Sequence, residues 1–173
     1  MRKLIIIRGN SGSGKSSVAK ELQHKFGRNT LMIPQDIVRR EMLWAHDGLN
    51  TAAIPLLISL IEYGYTNSEI TILEGIFHSA WYKPLFEQAV QIFHEENIYA
   101  YYYDLPFDET LRRHETKNNR FDFGEEEMRR WWNEKDYIGF IKEKTLTKEL
   151  TLNDAVELIL ADVHGKENIL IEN

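Results

Sequence analysis

Short apolar runs alternate with amphipathic stretches along most of this chain. Four of the runs are rich in β-branched or aromatic residues, as are strands that are buried on both faces of a sheet. These runs are residues 4–7, 30–33, 70–73 and 98–103. The segment 144–146 is the candidate for a fifth strand.

The stretches between these runs carry apolar residues at helical spacing. They predict helices over residues 18–26, 49–63, 81–96, 108–114, 125–135 and 152–163, and another that starts near Asp36. Gly27 and Gly64 are expected to end the first two of these helices. Strands that alternate with helices imply right-handed crossovers and a parallel sheet. The pattern therefore predicts an α/β fold in three layers, with a five-stranded parallel sheet and helices on both faces.

The first strand leads directly into a glycine-rich segment that fits G-x-x-x-x-G-K-[ST], the Walker A motif. The glycines allow backbone N–H groups to point inward at anionic oxygens. Lys15 supplies a charge for the β- and γ-phosphates, and Ser16 is placed to ligate Mg²⁺. A strand, loop and helix in this order put the phosphates at a helix N-terminus. The predicted nucleotide-binding residues are Gly9, Asn10, Ser11, Gly12, Ser13, Gly14, Lys15, Ser16 and Ser17.

Acidic residues follow three of the other predicted strands, at Asp36, Glu74 and Asp104. Ligands of parallel sheets bind at the carboxyl ends of the strands, so these residues are expected near the phosphate loop. Asp36 is predicted to accept a proton from an attacking hydroxyl or to orient that hydroxyl. Arg39, one helical turn further on, is suited to hold an anionic acceptor or the transferring phosphoryl group. The alternative is that Asp36 serves only as the N-cap of its helix.

Glu74 stands where triphosphate-binding folds place an acidic residue that orients Mg²⁺ or its water shell. Asp is the more usual residue at this position, and a longer Glu side chain also reaches towards an acceptor. Glu74 is therefore predicted to join Ser16 at the metal site, with an acceptor contact or a charge at the rim as alternatives.

Cationic side chains are concentrated in one short segment, at Arg112, Arg113, His114, Lys117 and Arg120. A mobile lid over about residues 112–124 would bring arginines to the charge that develops in phosphoryl transfer and would exclude water. Arg113 and Arg120 are the pair predicted to face the nucleotide and act in catalysis. The alternative is a solvated helix face followed by a polar loop.

Composition narrows the choice of function. The chain has 173 residues, a formal charge of −6 and no cysteine, which fits one domain in a reducing cytoplasm. The acidic balance argues against a polynucleotide groove, which needs extended positive surface. The apolar run near the N-terminus is too short for a signal peptide. The sequence also contains no run of about 18 apolar residues, the length that a membrane-spanning helix needs.

Together these residues resemble the P-loop kinases related to nucleoside monophosphate kinases. The resemblance is greatest to the branch with polynucleotide 5′-kinase, chloramphenicol phosphotransferase, adenylylsulfate kinase and gluconate kinase. In that branch an Asp after the second strand, often followed three residues on by an Arg, serves the acceptor hydroxyl. Asp36 and Arg39 match this pattern, and the lid arginines of the family fall on Arg113 and Arg120.

The resemblance implies one kinase domain over residues 1–173 that uses ATP and Mg²⁺ to phosphorylate a hydroxyl of a small molecule. The sequence does not decide whether the acceptor resembles a nucleoside, an antibiotic or a sugar acid. It also does not decide whether the protein is a monomer or a homodimer. The alternatives are a nucleic-acid end kinase and a P-loop NTPase that hydrolyses ATP or GTP. A switch GTPase is disfavoured because the chain lacks an N-K-x-D base-reading motif.

Overall fold

A single sheet of five parallel strands forms the centre of the molecule, in the order β2-β3-β1-β4-β5. This computed structural model describes residues 1–116 and 124–168, the last three of them by backbone alone. The strands are β1 Lys3–Gly9, β2 Leu31–Pro34, β3 Ile70–Gly75, β4 Ile98–Tyr103 and β5 Glu143–Leu146. The helices are α1 Lys15–Phe26, α2 Ala53–Asn67, α3 Lys83–Phe93, α4 Phe107–Glu115, α5 Glu125–Arg130 and α6 Leu152–Asn168. Two short helical turns cover Ile37–Met42 and Glu95–Asn97.

Strand β1 lies in the middle of the sheet and is buried over its whole length. Ile5 pairs with Ile72 of β3 on one side and with Tyr99 of β4 on the other. The side chains of β1 alternate between two apolar cores. Leu4 and Ile6 pack towards the core that contains α2 and α3, and Ile5 and Ile7 pack towards the core of α1 and α6. The apolar run of β1 is therefore uninterrupted because both of its faces are covered.

The predicted fold class is confirmed, including the five parallel strands and the helices on both faces. Strand β4 has the predicted bounds, and the fifth strand lies where residues 144–146 were proposed. None of the helices in the described part of the chain is long and apolar enough to cross a membrane.

Some predicted helix bounds are wrong. Helix α2 begins at Ala53, later than the predicted start at residue 49, and runs through Gly64 to Asn67. Helix α5 is short and stops at Arg130. Helix α3 stops at Phe93, because His94 takes a positive φ of 60° that a helix does not accommodate.

Gly64 is a helix-interior residue whose lack of a side chain permits close packing. A Cβ atom built on Gly64 would lie 2.9 Å from Cγ2 of Thr71 and closer still to its Oγ1. Thr71 belongs to β3 and is fully buried. Gly64 therefore lets α2 approach the sheet, a role that its spacing in the sequence does not distinguish from a helix stop.

Part of the proposed lid lies outside the described residues. Residues 117–123 are not described, and they include Arg120 and Lys117. Arg112 and Arg113 lie in the last turn of α4, before this gap.

We expect Gly64→Ala to lower the free energy of unfolding by about 1–3 kcal/mol, because the added methyl group overpacks the contact with β3. Gly165→Ala is the matched control, since Gly165 also lies in a helix but has open space where its Cβ would be. Urea unfolding followed by circular dichroism measures both variants. A destabilisation by Gly165→Ala as large as that by Gly64→Ala would contradict the packing argument.

Candidate active site

The phosphate loop connects the end of β1 to the start of α1 and depends on three glycines. Gly9, Gly12 and Gly14 have φ angles of 145°, 84° and 102°, which side chains disfavour. A Cβ on Gly9 would lie 2.7 Å from Cβ of Tyr103. The backbone of the loop is thus pressed against β4 while it turns towards the helix N-terminus, as a phosphate-binding loop requires.

Lys15 is buried at the start of α1, and its Nζ donates a hydrogen bond of 3.1 Å to the carbonyl of Asn10. Burial lowers the pKa of this lysine, and the charges of Glu74 and Asp36 act in the opposite direction. The ammonium group is therefore held in a poorly solvated position between the loop and two carboxylates. Bound phosphates would supply the counter-charge that water cannot supply there.

Ser16 and Glu74 are in direct contact, since the Ser16 hydroxyl donates a hydrogen bond of 3.2 Å to Oε2 of Glu74. A hydroxyl and a carboxylate beside the phosphate loop are the oxygen donors that Mg²⁺ prefers. The described part of the chain holds no group of three or more His, Asp or Glu side chains that could bind a metal without other ligands. The donors present fit Mg²⁺ that keeps waters and substrate phosphates as its remaining ligands.

Asp36 and Arg39 form an ion pair, with Nη2 of Arg39 2.9 Å from Oδ1 of Asp36. The Asp36 side chain makes no capping hydrogen bond to the helical turn that follows it, which weighs against the N-cap interpretation. Arg39 also donates to the carbonyl of Ala45 at 3.3 Å, and its Nε lies 3.9 Å from Oδ2 of Asp47. The hydroxyl of Tyr82 donates to Oδ1 of Asp47 at 2.7 Å.

The loop and these acidic residues open onto one cleft of about 720 Å³. Lys15, Ser16, Asp36, Arg39 and Glu74 all line it. The structure therefore brings together most of the predicted catalytic and metal-binding residues. Aromatic side chains also line the cleft, among them His78 and Trp81, which the sequence analysis did not assign to a site, and Trp131.

Two other predicted residues lie elsewhere. Arg113 is not among the residues that line the cleft; it pairs with Glu109 at 2.6 Å and donates to the carbonyl of Ser13 at 2.9 Å. It thus braces the backbone of the phosphate loop, and its contact with nucleotide stays a prediction. Asp104 also lies away from the cleft lining and accepts a hydrogen bond of 3.3 Å from the hydroxyl of Tyr137.

Sequence reasoning missed Arg8, which is fully buried at the end of β1. Its guanidinium pairs with Asp136 at 2.9 Å and Glu143 at 2.8 Å, and it donates twice to the carbonyl of Phe77. Asp136 in turn accepts hydrogen bonds from the backbone and hydroxyl of Ser79. The available signal was an arginine that directly follows four apolar residues in a strand covered on both faces.

Asn10 was predicted to bind nucleotide, but its side chain joins two parts of the protein. Its amide donates to the carbonyl of Asn133 at 2.7 Å and accepts from the backbone N–H of the same residue at 2.9 Å. This pair attaches the segment after Trp131 to the phosphate loop. The carbonyl of Asn10 accepts hydrogen bonds from Lys15 and from the backbone N–H of Ser13, and a contact of Asn10 with nucleotide stays a prediction.

We expect Arg8→Met to lower the free energy of unfolding by about 3–5 kcal/mol, because it leaves two poorly solvated carboxylates without their partner. Arg112→Met is the matched control, since Arg112 is exposed and its ion pair with Glu109 lies at the surface. Chemical unfolding compares the two variants. Equal stability of the two would show that the Arg8 pairs contribute no more than a surface pair.

We expect the affinity for a non-hydrolysable ATP analogue to fall as the pH rises. The fall should begin at a lower pH than it would if Lys15 had the pKa of an ordinary lysine. Phosphates bind the ammonium form of Lys15, so affinity is full below its pKa and is lost as pH rises through that lowered pKa. Calorimetric titrations between about pH 7.5 and pH 10 measure this. Lys15→Arg is the control, because its guanidinium keeps its proton over the whole range. If the affinity of both proteins for the analogue were equally independent of pH, the assignment of Lys15 as the phosphate-binding cation would be contradicted.

Comparisons with known proteins support the fold. No protein-family profile and no curated protein matches this chain. Among solved structures, a gluconokinase from Sinorhizobium meliloti 1021 is 16% identical with a TM-score of 0.64, and the match covers 100% of this chain and 99% of that one. The tunicamycin resistance protein of Deinococcus radiodurans is 17% identical with a TM-score of 0.65, covering 93% and 95%.

The APS kinase of Mycobacterium tuberculosis, solved in complex with AMPPNP and APS, is 18% identical with a TM-score of 0.59, and the match covers 92% of this chain and 95% of that chain. Two of these three similar structures are named as kinases. At these identities the likeness concerns the fold, and it extends over almost the whole of each chain. The chain has the fold of the P-loop kinases.

Proposed function

We propose that this protein is an ATP-dependent kinase that transfers the γ-phosphoryl group to a hydroxyl of a small molecule. The observation that carries the proposal is that the phosphate loop, the Ser16–Glu74 pair and the Asp36–Arg39 pair all line one cleft. A loop alone fits any triphosphatase. An exposed carboxylate, ion-paired in the same cleft, fits an enzyme that activates a second substrate.

At the phosphate end, Lys15 and the loop backbone hold the β- and γ-phosphates. Ser16 and Glu74 would hold Mg²⁺, which when bound neutralises charge on the phosphate oxygens. Glu74 is buried and contacts Ser16 directly, which supports the metal role over a charge at the rim. Arg113 supports this end through the carbonyl of Ser13.

At the acceptor end, Asp36 accepts the proton of the attacking hydroxyl. The O–H bond of the acceptor breaks, a bond forms between its oxygen and the γ-phosphorus, and the bond from that phosphorus to the bridging oxygen breaks to release ADP. The Asp36 side chain is more than half exposed at 56%, so a bound molecule can reach it. Arg39 orients the carboxylate of Asp36 through the 2.9 Å pair.

The size and setting of the cleft support a small acceptor. A volume of about 720 Å³ must hold both the triphosphate end of ATP and the acceptor. The formal charge of −6 disfavours a polynucleotide. Two of the similar structures are named as a gluconokinase and an APS kinase, which supports a small-molecule acceptor here too. Arg120 is proposed to reach the transferring phosphoryl group from the lid.

We expect Asp36→Asn to preserve affinity for ATP and to lower the rate of transfer by about 10²–10⁴-fold, the usual contribution of acid–base assistance. A screen of hydroxyl compounds that follows ADP release identifies an acceptor, and the rates of both proteins are then compared. Unfolding experiments on the same variant test the N-cap alternative. Lower stability with unchanged activity per folded molecule would contradict the catalytic role.

Lys15→Ala tests the proposal as a whole. We expect the variant to stay folded and to lose binding or turnover of ATP, because it lacks the ammonium group that is proposed to hold the β- and γ-phosphates. Full ATP affinity and a full rate of transfer in this variant would overturn the proposed function.

A further inference from the structure

One wall of the cleft is a stacked aromatic pair. The rings of His78 and Trp81 have centroids 4.4 Å apart and an interplanar angle of 17°. Both residues are half-buried and line the same cleft as the phosphate loop. The backbone around them is fixed, because Arg8 binds the carbonyl of Phe77 and Asp136 binds Ser79. A rigid indole in a cleft wall is a platform for the flat face of a ring.

The charges opposite this wall are already paired. Arg39 contacts Asp36 at 2.9 Å and Asp47 at 3.9 Å, and it donates to the carbonyl of Ala45. Two carboxylates therefore face one guanidinium, which leaves a local charge of −1. An anionic acceptor bound to Arg39 would have to displace one carboxylate and remain close to the other, and like charges at such distances repel.

Tyr82 keeps Asp47 in this arrangement. Its hydroxyl donates to Asp47 at 2.7 Å while it accepts a hydrogen bond from the amide of Gln35, also at 2.7 Å. Burial and then the contact with Asp47 raise the pKa of Tyr82, so the phenol keeps its proton at neutral pH. Because the ring of Tyr82 is fully buried, Asp47 is held from the protein interior.

Among the other cations of the cleft, Lys15 interacts electrostatically with Asp36, and the phosphates of bound ATP would neutralise its charge. Lys15 and Lys20 lie on α1, on the side of the phosphate loop. Arg40 and Arg130 lie at the exposed rim, and Arg130 has Glu127 within 3.7 Å. Exposed rim charges are screened by solvent and contribute little to binding. The acceptor end thus offers hydrogen-bond acceptors and an aromatic face.

We infer that the acceptor is an uncharged, ring-bearing polyol, whose ring stacks on Trp81 and whose hydroxyls donate to Asp36 and Asp47. This inference rests on the proposed function and names its substrate class. A free sugar and a nucleoside share this chemistry. Sugar acids and phosphorylated acceptors do not, because they bring a negative charge to a site that already has an excess of carboxylate.

Matched pairs of compounds that differ by one charged group test the inference. Glucose is compared with glucuronate, and uridine with uridine 5′-monophosphate, by calorimetry and by ligand-observed NMR in the presence of Mg²⁺ and a non-hydrolysable ATP analogue. We expect the uncharged member to bind at least about ten-fold more tightly in the pair that the enzyme recognises. The pair that responds distinguishes a sugar from a nucleoside. Asp47→Asn is expected to reduce this preference, because it removes one of the two carboxylates.

Trp81→Ala tests the stacking wall. We expect it to weaken binding of the uncharged member about ten-fold, as the loss of one stacked base does, and to leave affinity for the ATP analogue unchanged. Tyr63→Ala is the control, because Tyr63 is an exposed aromatic residue on α2 outside the cleft lining. It should change neither affinity.

Two results would overturn the inference. One is tighter binding of the anionic member in either pair. The other is that no sugar or nucleoside of a broader uncharged panel binds to the enzyme, although the enzyme binds the ATP analogue. Loss of binding of the ATP analogue itself would instead count against the proposed function, so the two failures are distinguishable.

Discussion

The buried guanidinium of Arg8 is the interaction on which the arrangement of the cleft depends. It lies at the carboxyl end of the central strand, one residue before the phosphate loop starts, and its side chain is fully buried. A charge in that position is costly unless paired and hydrogen-bonded. Asp136, Glu143 and the carbonyl of Phe77 satisfy it, and all three belong to segments distant in sequence. The requirement to neutralise one charge therefore fixes where three parts of the chain meet.

Phe77 and Asp136 are close in sequence to His78 and Asn133, which line the cleft, so the same constraint helps to position the cleft lining. The carbonyl of Phe77 precedes His78, whose ring stacks on Trp81. On the other side, Asn10 binds Asn133, close to Trp131. The phosphate loop and both walls are thus attached to the end of one strand. In the proposed function, a rigid attachment of this kind would keep ATP and the acceptor in a fixed relation, which in-line transfer needs.

Local pattern was sufficient to predict the sheet and the phosphate loop from the sequence. The apolar runs have the length and composition of buried strands. The loop motif consists of neighbouring residues in the sequence, and its glycines take the positive φ angles that the loop needs. Long-range contacts were not predictable in this way. The spacing of apolar residues predicts a helix stop at Gly64, because it carries no information on the contact of Gly64 with Thr71. Asp47 and Tyr82 had no signal of their own, since their roles arise only when two loops meet beside Arg39.

The division of charge along the cleft links fold to chemistry. At one end Lys15, Lys20 and the N-terminus of α1 create a positive field for phosphates. At the other end Asp36 and Asp47 outnumber the arginine between them. An excess of carboxylate there disfavours a second triphosphate and favours a group that donates hydrogen bonds. Asp36 belongs to this pair of carboxylates, and its side chain is 56% exposed, so the hydroxyl of a bound acceptor can reach it. Selectivity for the acceptor and activation of its hydroxyl would then follow from the same arrangement of two carboxylates around one guanidinium.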